Sequence, residues 1–174
     1  MRGIWFGLLY LLSTPALAQT PDPSEARNGD FGAKLLITDD LQGFWTAWDR
    51  PENPEVTTTS RITRAKPVFA IVIFHDCKPA ADGKCDLSLK FEMRGPDGRP
   101  YGEPHGSSPW KGPLPPNHNI QALPATMGFI LEQQDKLGGY SIMATLTDNV
   151  AGKSVRVSDV VTAVDDASAA RPTT

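Results

Sequence analysis

Ser108-Pro109-Trp110-Lys111 has the S-x-x-K spacing of an acylating serine, in which a lysine amine takes the hydroxyl proton. That chemistry needs the two residues one helical turn apart. Here they lie in a proline-rich run with no K-T-G after them, so no catalytic residue is assigned. G-x-S-x-G, H-E-x-x-H, P-loop and G-x-G-x-x-G patterns are absent, and no cofactor is expected. His75 and Asp76 precede Cys77 and suggest a histidine-activated thiol. A disulfide-bonded sulfur cannot attack, however, and Cys77 and Cys85 are the only two cysteines. An even, closely spaced pair in an exported chain is expected to be joined. The bond would close a loop over Lys78–Lys84 and contribute about 2–3 kcal/mol of chain entropy.

Metal binding would have to draw on His75, His105 and His118, and these three histidines carry the alternative reading, a small exported metal-binding protein or enzyme. Nitrogen and sulfur sites usually gather four ligands at short spacings, which this chain does not offer, so no metal ligand is assigned. Asp39-Asp40 and the pair Asp82 and Asp86 could offer carboxylates to calcium. Without D-x-D-x-D spacing they read as solvated turn residues.

The remaining candidates are aromatic. Trp45 and Trp48, with Phe44 beside them, and Tyr101 and Trp110 further on are the residues expected to touch a partner. Exposed aromatics stack on sugar rings or bury apolar segments; the alternative is that some of them simply fill the core.

The elements that must position these residues follow a period of two. Leu87, Leu89, Phe91 and Met93 alternate with polar residues, as do Tyr140, Ile142, Ala144 and Leu146, marking half-buried antiparallel strands. Val68 to Phe74 is apolar on both faces, as in a central strand. Met127, Phe129 and Leu131 mark another strand, and Val155 and Val157 begin a last one with a bulge expected at Asp159. Upstream, Leu35, Ile37 and then Phe44 to Trp48 suggest one or two strands, and no long helical stripe is evident. Seven prolines from Pro100 to Pro124 predict a long loop with at most a short edge strand. The sum is an all-β fold, a β-sandwich of about seven antiparallel strands.

Asp135-Lys136-Leu137-Gly138-Gly139-Tyr140, leading into an alternating strand, resembles the D-x-x-G-x-Y entry to strand F of immunoglobulin-like and fibronectin-type domains. The resemblance implies an immunoglobulin-like sandwich in which Tyr140 forms a tyrosine corner, its hydroxyl bonding backbone at the preceding bend. Ile142 stands where antibody domains carry their second core cysteine, and the Asp86 to Arg94 strand has no tryptophan. The likeness is therefore to the sandwich superfamily, which fixes no activity.

At the N-terminus, Arg2, the apolar run Ile4–Leu12 and Ala16-Leu17-Ala18 have the form of a signal peptide cleaved between Ala18 and Gln19. Nine apolar residues fall short of the about 20 that span a bilayer, so no membrane anchor is expected after cleavage. Residues 19–30 read as a flexible lead-in, 31–164 as a single sandwich domain and 165–174 as a disordered tail. Without residues 1–18 the chain carries 16 basic and 20 acidic side chains, which argues against a nucleic-acid partner. The expectation is a non-enzymatic exported binding module, periplasmic or secreted, presenting the 101–124 loop or a strand edge to a protein or glycan of the cell envelope. A structural role in an envelope assembly is the remaining alternative.

Overall fold

A computed structural model describes residues 22–50, 54–115 and 120–165, without the side chains of 105–107. The expected signal peptide, His118 and all but the first residue of the expected tail lie outside the described residues. The fold is all-β, with one short helix among the described residues. Among the described residues there are nine strands rather than about seven: β1 (Glu25–Asn28), β2 (Phe31–Thr38), β3 (Arg61–Thr63), β4 (Pro67–His75), β5 (Lys84–Arg94), β6 (His105–Pro113), β7 (Gln121–Ile130), β8 (Gly138–Asp148) and β9 (Lys153–Val164). The helix, α1 (Leu41–Trp48), lies between β2 and β3.

The strands form two sheets, ordered β1-β2-β4-β7 and β3-β9-β8-β5-β6. Every pairing is antiparallel except that of β3 with β9. Alternation directs one face of each sheet inward. Phe31, Ala33, Leu35 and Ile37 of β2 and Val68, Ala70, Val72 and Phe74 of β4 meet Leu87, Leu89 and Phe91 of β5 and Tyr140, Ile142, Ala144 and Leu146 of β8 in one buried core. Ile71 and Ile73, also of β4, are buried on the opposite face, in a second cluster with Phe44 of α1 and Ala122 of β7. Burial from both sides is the reason Val68 to Phe74 lacks alternation.

Four expectations need correction. Phe44 to Trp48 is helical, not extended. Leu41, Phe44, Trp45 and Trp48 repeat at helical spacing and pack toward the sheet, and Asp40 caps the N-terminus by accepting the Gly43 N–H at 2.8 Å. Within the expected lead-in, β1 pairs with β2 in continuous register from Glu25↔Lys34 to Asn28↔Phe31. The proline-rich region contributes β6 and the start of β7, each at the edge of its sheet. Edge strands tolerate proline because half their N–H groups need no ladder partner. Pro109 sits opposite Ser88, and Pro124 falls where the β7 register shifts against Ile71 and Ile73. The bulge expected at Asp159 is also absent, since β8 and β9 stay in register from Gly138↔Ala163 to Asp148↔Lys153.

Candidate functional site

Helix α1 covers only part of the outer face of the first sheet. Beside it lies a groove of about 420 Å³, within the size range of ligand pockets. Its walls come from six places in the chain. β2 contributes Lys34 and Leu36, β4 contributes Ile73 and His75, β1 contributes Glu25 and Arg27, and Trp48 ends α1, with Pro54, Val56 and Ile120 completing the apolar side. Strand alternation puts Lys34 and Leu36 outward while Ala33, Leu35 and Ile37 enter the core.

Two contacts set the shape of the groove. Trp48 stacks on Phe44 with ring centroids 5.6 Å apart and planes 11° apart, and Trp45 meets Phe44 edge-on at 5.1 Å. The indole at the groove is thus oriented before any partner arrives. Opposite, the His75 ring lies across Gly32, its cross-strand neighbour; a Cβ on Gly32 would stand 2.3 Å from His75 Nε2, so any larger residue there would displace the ring. The Asp76 carboxylate holds His75 Nδ1 at 2.7 Å. Asp76 adopts the left-handed region at φ 57°, directly after β4 ends at His75. Along the rim, Lys34 and Arg27 both approach Glu25, at 3.8 and 3.9 Å.

The four predicted aromatics do not form one surface, and all four are half-buried. Trp48 lines the groove, and Trp45 packs in the cluster under the helix. Trp110 stands edge-on to Phe74 at 5.3 Å and occupies the space a Cβ on Gly112 would need. Tyr101 meets Tyr140 edge-on at 5.3 Å and donates to Asp135 at 2.5 Å. Burial first, then the bond to Asp135 and its charge, raises the Tyr101 hydroxyl far above its ordinary range. Tyr140 is raised as well, chiefly by burial, and donates to the Lys136 carbonyl at 2.8 Å.

The other candidates have structural partners. Cys77 and Cys85 form a disulfide, and both are buried. Ser108 and Lys111 lie on a strand, three residues apart and so on opposite faces, and Lys111 Nζ pairs with Asp86 at 2.9 Å. Asp86 also accepts from Asn149 at 2.8 Å; the Asn149 bond first, then that of Lys111, lowers its pKa. Asp82 accepts the Lys84 N–H at 3.1 Å. His105 is on β6, remote in sequence from β4, and no group of three or more His, Cys, Asp and Glu side chains gathers among the described residues. Leu36, Val56, Ile73, Lys34 and Arg27 are groove residues that motif and aromatic reasoning did not single out. The available signal was the outward position of Lys34 and Leu36 in an otherwise apolar strand.

No protein-family model matches the chain, and no curated protein matches it. Among solved structures it is similar to a family 123 glycoside hydrolase from Clostridium perfringens, described in terms of glycolipid glycan hydrolysis. The two share 11% identity at a TM-score of 0.48, over 77% of this chain and 28% of that enzyme.

Proposed function

We propose that this chain is a non-enzymatic exported binding module with an immunoglobulin-like sandwich. It contacts a protein or glycan of the cell envelope through the groove beside α1, to which the 101–124 region contributes only Ile120 among the described residues. The observation that carries this reading is the groove itself: an apolar concavity on a rigid sheet, with Trp48 fixed in place by Phe44. A preset aromatic wall lowers the ordering cost of binding. The proline-rich region is less suited to the role, because β6 and β7 commit its backbone to the two sheets.

Strand order supports the immunoglobulin-like reading. With β8 taken as strand F, β9-β8-β5-β6 follows the order G-F-C-C′, and β2-β4-β7 follows A-B-E. The Tyr140 hydroxyl bonds backbone four residues upstream, as a tyrosine corner would. The disulfide and the leader-like residues 1–18 support export to the periplasm or medium. Among the described residues no helix is long and apolar enough to cross a membrane.

Site-specific photocrosslinking in the exporting cell tests the proposal. A photoreactive side chain at Val56, in the groove, is expected to give a discrete adduct. One at Thr145, on β8 of the second sheet, is expected to give none. Equal labelling from both positions, or none from Val56 in folded protein, would rule the groove out as the contact surface.

A further inference from the structure

The polar groups of the groove are unevenly distributed. Leu36, Ile73, Val56, Pro54 and Ile120 make up much of its lining, and among the described residues no serine, threonine, asparagine or glutamine side chain lines it. A sugar ring seated there would bring hydroxyls to a surface with few groups to pair them, and unpaired buried hydroxyls are costly. Apolar side chains have no such requirement. On one rim Arg27 and Lys34 share the single carboxylate of Glu25 at ion-pair separations of 3.9 and 3.8 Å, while the Asp76 carboxylate is engaged by His75 Nδ1 at 2.7 Å. Those distances exceed hydrogen-bond length, and all three side chains are well exposed, with relative accessibilities between 38% and 61%. An incoming carboxylate could therefore approach two cations against one fixed anion.

We propose that the occupant of the groove is an extended polypeptide segment whose apolar side chains sit between Trp48, Leu36 and Val56 and whose adjacent acidic residue faces Lys34 and Arg27. This rests on the binding-module reading and specifies its partner. Apolar burial against the preset indole supplies affinity. The cation pair selects the sequence and orientation of the segment, which is the usual role of rim charges. Because the rim is exposed, this selection weakens as salt screens it.

Three peptides test the proposal on the purified exported protein: acetyl-Leu-Phe-Leu-Asp-amide and its counterparts ending in Asn and Lys, measured by calorimetry. In about 0.05 M salt the Asp peptide should bind about tenfold more tightly than the Lys peptide, with the Asn peptide between them, and the spread should narrow at about 0.5 M salt. The double variant Arg27→Glu/Lys34→Glu should invert the order. Lys34→Gln, which keeps the strand and makes no new repulsion, should shrink the preference without inverting it. Val56→Asn should weaken all three peptides alike. If the three peptides bind equally and Val56→Asn still weakens them, the acidic-segment proposal falls while the groove stands as a binding site. If no peptide binds and cellohexaose does, a polypeptide occupant is overturned in favour of a glycan. If neither the peptides nor cellohexaose bind to the folded protein, both readings fall.

Discussion

Asp148 is completely buried, yet its carboxylate accepts three backbone N–H groups: Lys78 at 2.7 Å, Val150 at 2.9 Å and Ala151 at 3.0 Å. Those bonds tie the β4–β5 crossing to the β8–β9 turn beside the disulfide. Removing the carboxylate would leave three donors unmatched, so Asp148→Ala should cost about 3 kcal/mol in urea unfolding, and Asp148→Asn less. The tyrosines make a second prediction. Without residues 1–18 the chain contains only Tyr101 and Tyr140, and both hydroxyls are raised in the fold. The folded state therefore holds protons that the unfolded chain releases near pH 10. Stability should be full below that pH and fall as pH rises through and above it. In a spectrophotometric titration neither phenolate should appear near pH 10 in native protein; an ordinary tyrosine titration before unfolding would contradict the assignment. At this scale the cysteine pair was legible, because two cysteines leave only one intramolecular pairing. Asp148 was not, since nothing in its local sequence shows that its acceptors serve a loop 70 residues away.

The two sheets were readable wherever one face meets water, as in β5 and β8, because burial on one side enforces alternation. Helix α1 was missed because eight residues give only two turns of periodicity, and its tryptophans and phenylalanine suit strands equally well. β6 was expected to be at most a short edge strand and runs instead for nine residues, because proline limits an edge strand less than the seven prolines suggested. The role of α1 gives the prediction at this scale. Phe44 is buried against Ile71, Ile73 and Ala122 and carries the stack with Trp48. Phe44→Ala should therefore cost about 3 kcal/mol and also release the Trp48 ring, seen as a loss of indole emission anisotropy. Unchanged anisotropy would mean that something other than Phe44 holds the ring. The groove was illegible for a related reason: its floor comes from β1, β2 and β4 and its wall from α1 and Val56, which are brought together only by pairing in the first sheet.

Across the whole molecule, the two sheets enclose one core while α1 seals part of the outer face of the first, so the two outer faces are unlike. The second sheet presents Ser88, Lys90, Glu92, Thr145, Thr147 and Arg156 on strands whose alternate residues are buried. The first presents the apolar groove. That asymmetry is what a module with one working face requires. The proposed export has its own test: mass spectrometry of the protein recovered from the periplasm or medium should find Gln19 at its N-terminus, and an intact Met1 would contradict cleavage. The most direct test is an amide chemical-shift map with the neutral peptide acetyl-Leu-Phe-Leu-Asn-amide. The shifts should concentrate at Lys34 to Leu36, Trp48, Val56 and Ile73 to His75. Shifts gathered instead along β6, or on the outer face of β8, would place binding elsewhere and contradict the account.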